Sequence, residues 1–225
     1  MDGNGRWAEL RGIHRIEGHR RGAERSKEII EVSVEIGLKA LTLYAFSTEN
    51  WRRPSLEVTT LMKLLELYLK KELDSLMKKD VVFRAIGEID RLPDHIYKII
   101  KDAEKSTASN KGMTLVTALS YSGRNEILRT VKKLLQAGIN PDELTEDLFN
   151  SYLDTVGISP PDLIIRTSGE MRISNFLLWQ SAYSELYFTE TLWPDFTKDE
   201  FLLAIQNYQQ RERRFGAIPA RADAP

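Results

Sequence analysis

The first residues of the chain combine side chains and glycines that could bind a phosphate. Gly3 and Gly5 flank Asn4, so the backbone can adopt positive φ angles and approach a ligand closely. Exposed N–H groups in such a turn bind anions, and the Arg6 guanidinium presents a fork of donors that suits phosphate oxygens. The Asp2 carboxylate would repel a phosphate unless a divalent cation lay between them. The segment therefore predicts a loop that binds a phosphorylated ligand through Mg²⁺, although these residues are also common in ordinary surface turns.

Polar side chains also follow the first predicted strand. Residues 40–46 are almost continuously apolar, which is typical of a buried parallel strand. Residues 47–54 then supply a hydroxyl, a carboxylate, an amide and two guanidinium groups. In open α/β sheets ligands bind beyond the carboxyl ends of the strands, so this loop is expected to contribute to the same site.

Two further basic groups are candidates for phosphate binding. Arg15 and His19 are four residues apart, so a helical turn would place both on one face. The alternative is a solvated basic face with a surface histidine. Arg166 and Arg172 bracket a loop that contains Gly169 and two hydroxyls, directly after the predicted strand 162–165. This loop is predicted to form a second phosphate clamp.

The spacing of apolar residues predicts the elements that position these groups. The predicted strands are 40–46, 81–86, 113–120 and 162–165. The predicted helices are 18–36, 56–79, 93–107, one from the turn at 121–125 to residue 135, 145–153, and a last one that starts at a capping box of Thr197 and Glu200. This alternation predicts an α/β fold with a mainly parallel central sheet covered by helices on both faces.

The composition limits the classes of function. With 225 residues the chain is expected to form a single domain, 1–225, whose last residues, 217–225, fray. A net charge of -1 argues against a nucleic-acid partner. The sequence contains no cysteine, which excludes disulfides and thiolate metal sites and is typical of a cytoplasmic protein.

The helix predicted over residues 56–79 is apolar around an unusually wide arc. A surface helix needs only one apolar stripe, so a second apolar face requires a partner. That partner could be a second subunit, a lipid or a cavity, and deep core packing is the alternative.

Three segments together resemble a known family. They are DGNGRW at residues 2–7, FSTENWRRP at 46–54, and RTSGEMRISNFLLWQ at 166–180 followed by AYSELYF at 182–188. In this order they resemble the cis-prenyltransferases over nearly the whole chain. The resemblance implies condensation of isopentenyl diphosphate onto an allylic diphosphate, farnesyl diphosphate, with Mg²⁺ as cofactor. The implied product is a long-chain Z-polyprenyl diphosphate, undecaprenyl diphosphate, which serves as a lipid carrier in cell-wall synthesis.

The resemblance implies a role for each matching residue. Asp2 would act in catalysis and hold Mg²⁺, with Glu185 as a second metal-associated carboxylate. Asn50 would orient the homoallylic substrate and assist removal of its proton. The residues matched to the allylic diphosphate pocket are Gly3, Asn4, Gly5, Arg6, Trp7, Arg15, His19, Ser47, Glu49, Trp51 and Arg53. Those matched to isopentenyl diphosphate are Arg166, Arg172, Ser174, Arg214 and Gly216, of which the last two are implied to reach a neighbouring subunit of a homodimer.

The resemblance also implies an apolar tunnel for the growing chain, beside helix 56–79, with the small Ala45 leaving room. Each five-carbon unit adds roughly 3–4 kcal/mol of apolar binding at ~0.8 kcal/mol per methylene, so product release is expected to be slow and helped by peripheral membrane contact. Short- or medium-chain synthases and a non-catalytic partner subunit of the same fold are the alternatives. A nucleotide-binding protein is disfavoured, because no glycine-rich nucleotide motif follows a strand.

The chain departs from the family pattern in two places. Family members have an apolar strand directly before the DGNGRW segment, whereas only Met1 stands there, so either the native start lies upstream or the first strand is expected to be missing from the sheet. Met171 stands where some bacterial members have a histidine, and a thioether is a poor Mg²⁺ ligand. The ion would then depend on Asp2, Glu185, diphosphate oxygens and water.

Overall fold

The computed structural model of the protein describes residues 1–212. The helices are α1 (Asn4–Glu9), α2 (Arg15–Glu35), α3 (Ser55–Lys78), α4 (Asp94–Thr107), α5 (Gly123–Gln136), α6 (Glu146–Tyr152) and α7 (Lys198–Gln209). The strands are β1 (Ala40–Ser47), β2 (Val82–Ile86), β3 (Thr114–Tyr121), β4 (Leu163–Arg166) and β5 (Glu185–Phe188). A short 3-10 helix, Thr48–Arg52, follows β1.

Three parallel strands form the central sheet, in the order β1-β3-β2. Thr114 at the start of β3 pairs with Ala40 of β1 on one side and Val82 of β2 on the other, so the carboxyl ends of all three strands meet at one edge. Strands β4 and β5 form a second parallel pair that begins with Leu163 beside Glu185. The prediction of an α/β fold with a mainly parallel sheet is confirmed.

Apolar side chains are buried on both faces of the central sheet. On one face, helices α2, α3 and α4 cover Leu43, Phe83 and Leu115. On the other face, Val116 packs near Leu177 of the segment that follows β4. All of β3 except its first residue is buried, which explains why its sequence is a nearly continuous apolar run.

Helix α3 has apolar side chains on two faces. Leu69 and Leu76 pack in the core, while Leu61 and Leu65 line a cavity beside β1, and Leu67 is 65% exposed. Core packing and a cavity therefore both account for its wide apolar arc. Within residues 1–212, no helix is both long enough and apolar enough to cross a bilayer.

The opening segment differs from the prediction of a loop. Helix α1 already begins at Asn4, and within this segment only Gly3 has left-handed backbone, with a φ of 106°. Gly5 is helical, and a Cβ there would lie 2.6 Å from the Arg15 guanidinium. The first glycine is thus required by the turn, whereas a side chain at the second would need only the flexible end of Arg15 to move.

Strand β5 was not predicted from the sequence. Its four residues, Glu185–Phe188, are too few to show a strand periodicity, and none of them is fully buried. The strand forms because β4 offers it a parallel partner, which is a long-range contact. The other predicted strands and helices agree with the structure to within a few residues at their ends.

A cavity of about 920 Å³ lies between the two sheets. It extends along β1 and β4, and within residues 1–212 neither strand is paired on the edge that lines it. Met1 lies against this cavity, and burial lowers the pKa of its α-amine to about 6. A slot bounded by two open strand edges can accept a further strand, and the expectation that the family's first strand is missing stays a prediction.

Candidate active site

Arg166 connects three loops at the carboxyl end of β4. Its Nη2 donates to Oδ2 of Asp2 at 2.9 Å, and its Nη1 donates to Oγ of Ser174 at 2.5 Å and to the carbonyl of Arg172. The Thr167 hydroxyl fixes the backbone of Asp2, since it donates to the carbonyl at 2.8 Å and accepts from the N–H at 2.9 Å. The structure therefore brings Asp2, Arg166 and Ser174 together in one hydrogen-bonded cluster.

Arg6 reaches the same cluster from α1. Its guanidinium donates to Oγ of Ser168 at 2.5 Å and to the Ser168 carbonyl at 3.2 Å. It also lies 3.6 Å from the Asp2 carboxylate and 3.5 Å from that of Glu170, which pairs with Arg172 at 2.5 Å. Guanidinium groups on two sides of one loop can bind the oxygens of a diphosphate.

The charges around Asp2 keep its carboxylate ionised. Partial burial raises the pKa of Asp2, but the hydrogen bond and the charge of Arg166, with the charges of Arg6 and the N-terminal ammonium, leave this pKa below its ordinary value. The carboxylate can therefore hold a cation while the two guanidinium groups beside it bind a diphosphate.

A second cationic group surrounds Glu57, in the first turn of α3. Its Oε1 lies 2.9 Å from Nη1 of Arg53, 3.4 Å from Nε2 of His19 and 3.9 Å from Nη2 of Arg15. Burial lowers the pKa of His19, Glu57 opposes this shift, and Arg53 and Arg15 add to it, so the net pKa is below the ordinary value. The sequence predicted the three basic side chains but not Glu57. The spacing of four residues between Arg53 and Glu57 was nevertheless a signal for an ion pair.

The turn after β1 holds its polar side chains through local hydrogen bonds. The Ser47 N–H donates to Oδ1 of Asn50 at 3.0 Å, which closes a capping box at the start of the 3-10 helix. Trp51 turns inward, where its Nε1 donates to Oγ of Ser120 at 2.9 Å. The carboxyl ends of β1 and β3 are thereby joined beside the predicted site.

Strained backbone is concentrated in the segment after β4. Ser168, Ser174 and Asn175 have φ angles of 80°, 47° and 63°. Such left-handed conformations cost of order 1–3 kcal/mol each in residues other than glycine and are often found at ligand sites. Nδ2 of Asn175 also donates to Oε1 of Glu49 at 3.1 Å, which links this segment to the turn after β1.

The side chains of two predicted site residues, Glu185 and Trp7, form their hydrogen bonds outside the Asp2 cluster. Glu185 begins β5, three residues before the position that pairs with Arg166, and its carboxylate accepts a hydrogen bond from Arg211 at 2.7 Å. At about 3.3 Å per strand residue, it lies roughly 10 Å along the strand from the Asp2 cluster. The Trp7 indole donates to Oδ1 of Asp195 at 2.8 Å.

Met171, Arg214 and Gly216 are not part of the Asp2 cluster as the structure describes it. Met171 is 80% exposed, in the loop between Arg166 and Ser174. Arg214 and Gly216, which were matched to the isopentenyl diphosphate site, lie outside the described residues.

An apolar cavity of about 130 Å³ extends from the cationic group between α2, α3 and β1. It is lined by Ala45, Leu61, Leu65 and Tyr68, among others, and His19 and Asn4 lie at its border. His19 and Ala45 also line the larger cavity between the sheets, which includes Asp2 and Arg166. An apolar chain attached to a bound diphosphate could therefore extend toward α3.

The prenyltransferase family model described as "Putative undecaprenyl diphosphate synthase" matches residues 1–216. The chain belongs to the undecaprenyl diphosphate synthase family. The resemblance to cis-prenyltransferases is thereby confirmed, as is the assignment to prenyltransferases.

Individual members of this family agree with the assignment. The isoprenyl transferase of Aquifex aeolicus is 49% identical over 218 residues, which cover 97% of this chain and 94% of the relative. A crystal structure of lavandulyl diphosphate synthase from Lavandula x intermedia, in complex with dimethylallyl diphosphate, is 38% identical and superposes with a TM-score of 0.93 over 96% of this chain and 95% of that one. A probable undecaprenyl diphosphate synthase from Campylobacter jejuni is 37% identical, with a TM-score of 0.79 over 88% and 92% of the two chains.

The donor set of this undecaprenyl diphosphate synthase family member fits Mg²⁺ only in company with a ligand. Within residues 1–212 no group of three or more His, Cys, Asp or Glu side chains could hold a metal ion. Asp2 nevertheless offers an ionised carboxylate, the hydroxyl of Thr167 contacts its backbone, and that of Ser168 contacts Arg6. Mg²⁺ is commonly bound by one or two carboxylates together with water and substrate phosphates, so this set is suitable.

Proposed function

We propose that this chain condenses isopentenyl diphosphate with farnesyl diphosphate to give a long-chain Z-polyprenyl diphosphate, undecaprenyl diphosphate, in the presence of Mg²⁺. The observation that carries the proposal is the placement of two cationic groups along the cavity between the sheets, which shares His19 and Ala45 with the apolar cavity. Arg6 and Arg166 contact Asp2, with Arg172 paired to Glu170 in the same loop, while Arg15, His19 and Arg53 surround Glu57. Two diphosphates can thus be bound in one chain.

The first chemical requirement is to stabilise the diphosphate that leaves the allylic carbon. Preorganised guanidinium groups in a partly buried site lower this barrier because they need not reorient as negative charge develops. Asp2 would hold Mg²⁺ together with diphosphate oxygens, and the bound ion would add positive charge to the site. Arg6 and Arg53 would contribute the remaining charge from α1 and from the turn after β1.

The second requirement is to place the double bond of isopentenyl diphosphate against the allylic carbon. Arg166 and Ser174 are already fixed by their mutual hydrogen bond, so a diphosphate bound there would have a defined orientation. Asn50 lies in the turn that joins this region to β1, and its Oδ1 already accepts a backbone hydrogen bond. It is therefore suited to orienting a substrate through its N–H groups, whereas an amide is a poor base.

Product length depends on the apolar cavity. Its volume of about 130 Å³ is small against typical ligand pockets of about 300–1,000 Å³, so a long product requires α2 and α3 to separate as the chain grows. This small volume favours a short-chain synthase as the second candidate. We also propose that the protein forms a homodimer, is located in the cytoplasm and contacts the membrane peripherally.

The proposal is tested by incubating the full chain with farnesyl diphosphate, labelled isopentenyl diphosphate and Mg²⁺, and sizing the products. We expect a ladder that ends at long chains and no product when Mg²⁺ is chelated. Products that stop after one or two additions would favour the short-chain synthase. A folded protein without any product would favour the non-catalytic subunit. If release limits turnover, detergent should raise the steady-state rate.

A further inference from the structure

Glu57 is a carboxylate in a place where an anion would bind. Its side chain is 18% exposed, and a single oxygen, Oε1, faces three basic side chains from two segments. Arg15 and His19 lie on α2, and Arg53 follows the 3-10 helix after β1. A negative charge here repels a diphosphate, so its presence requires a compensating benefit.

The structure shows what Glu57 does for its neighbours. Arg15 and Arg53 have side chains that are 48% and 36% exposed, so without a shared partner their mutual repulsion would move them into solvent. Arg15 already has a second carboxylate, Glu9 of α1, which would retain it outside the site. Only Glu57 contacts all three basic side chains among the described residues.

His19 provides a second, independent observation. Its Nε2 is buried, lies at the border of both cavities, and makes no hydrogen bond within residues 1–212. The nearby Oε1 of Glu57, at 3.4 Å, is not aligned with it as a hydrogen-bond acceptor. A buried polar nitrogen without a partner is costly, and an oxygen of a bound ligand would satisfy it.

Taking the ligand from the proposed function, we propose that Glu57 is a positioning residue that preassembles Arg15, His19 and Arg53 around the diphosphate of the allylic substrate. Glu57 makes no contact with the reacting atoms in this role. It joins the start of α3 to α2 and to the turn after β1, so the three basic side chains already converge before the ligand arrives. The entropic cost of ordering these side chains is then incurred on folding, and it does not weaken ligand binding.

Ionisation of Glu57 is consistent with this role. Burial raises the pKa of Glu57, but the charges of Arg53 and Arg15, a hydrogen bond from Arg53 and the charge of His19 leave it below the ordinary value. The carboxylate is therefore charged at neutral pH and holds the cations throughout the range in which the protein would work.

Two opposite effects determine what removal of this charge does. Loss of an anion from the pocket would by itself tighten diphosphate binding, whereas loss of the preassembled cations would weaken it. We expect the second effect to prevail, because both guanidinium groups, those of Arg15 and Arg53, are partly exposed and can move into solvent. The sign of the change therefore tests the role of Glu57.

The experiment compares Glu57→Gln with a matched control, Glu66→Gln, in the full-length protein. Glu66 lies on the same helix and also faces a lysine and a histidine, Lys70 at 2.7 Å and His95 at 3.4 Å, but its ion pairs include none of the three basic side chains around Glu57. Calorimetric titration with inorganic pyrophosphate should give about a tenfold higher Kd for Glu57→Gln and an unchanged Kd for Glu66→Gln. Glu57→Asp keeps the charge and should retain more affinity than Glu57→Gln.

A second measurement reports on position and not on turnover. The groups that face His19 are Arg15, Arg53 and Glu57, so NMR titration of its ring should show a lower pKa in Glu57→Gln and no change in Glu66→Gln. In steady-state assays, KM for the allylic substrate should rise while KM for isopentenyl diphosphate stays constant.

Unchanged or tighter pyrophosphate binding by a folded Glu57→Gln protein would overturn the role of Glu57, and so would a reversed order of the Gln and Asp variants. Failure of the proposed function has a different signature. A wild-type protein that binds pyrophosphate but makes no polyprenyl product would refute the reaction, while the loss of affinity in Glu57→Gln would still stand.

Discussion

Replacement of Asp2 by asparagine separates its chemical role from its structural one. The amide keeps the shape of the side chain and an oxygen acceptor, but it removes the charge that Arg166 contacts at 2.9 Å. A charge-assisted hydrogen bond contributes about 1.5–3 kcal/mol and a neutral one about 0.5–1.5 kcal/mol. Because the Asp2 side chain is 41% exposed, solvent screening reduces the difference, and we expect a loss of about 1 kcal/mol in folding stability.

The expected loss of activity is much larger. Removal of one preorganised electrostatic contact in a catalytic site typically lowers kcat by about 10²–10³, equivalent to about 2.7–4 kcal/mol. The stability change should lower Tm by only about 2–4 °C in a chain of this size. Asp2→Asn should therefore be folded and nearly inactive, and Asp2→Ala should be inactive and still folded.

The assay measures incorporation of labelled isopentenyl diphosphate and, on the same samples, Tm by calorimetry. Asp80→Asn is the matched control, because Asp80 precedes β2 at the opposite end of the sheet and accepts a hydrogen bond from the Lys111 N–H at 3.0 Å. It has a φ of 56°, which asparagine tolerates. An Asp2→Asn protein with more than a tenth of the wild-type kcat would refute the role of Asp2.

Three further predictions concern the cavities and His19. Ala45→Leu should shorten the products, because Ala45 lines both cavities; a product ladder of unchanged length would contradict this. Burial holds the pKa of His19 below its ordinary value, so the ring is neutral at pH 7, and a bound diphosphate should raise this pKa. Calorimetry of diphosphate binding in buffers of different ionisation enthalpy should therefore show proton uptake between pH 6 and 7. Heats that do not depend on the buffer would argue against this role of His19. Fusion of a six-residue apolar strand before Met1 should fill the slot between β1 and β4 and raise Tm, and a matched polar glycine–serine extension should not.

The sequence predicted most of the fold because its elements carry local signals. Strands 81–86 and 113–120 appear as β2 and β3 with ends shifted by one residue, since buried parallel strands are apolar runs that any window of the sequence reveals. The start of α7 was predicted from the Thr197 and Glu200 capping box, which the structure contains. Strand β5 was not predicted, because it is stabilised by pairing with β4 and has no local sequence signal of its own.

The site could be predicted as a set of residues but not as an arrangement. The glycine and arginine content of residues 2–7 indicated phosphate binding, yet most of the predicted loop is helix α1, which packs against α2. Glu57 was overlooked, since a lone glutamate at the start of a helix is most often a solvent-exposed favourable charge. The placement of Glu185 away from Asp2 also depends on strand register, which a single sequence does not reveal.

The sequence by itself determined the family, the parallel α/β class and the supply of cationic, acidic and hydroxyl groups, because these depend on residue types and on short-range spacing. Only the tertiary structure decided that Asp2 meets Arg166 across 164 residues, that two guanidinium groups and an imidazole share one oxygen of Glu57, and that an open slot separates β1 from β4. Each of these contacts joins segments that have no local preference for one another. Their geometry follows from how the helices and strands pack, and this packing minimises the free energy of the whole chain and not that of any one segment.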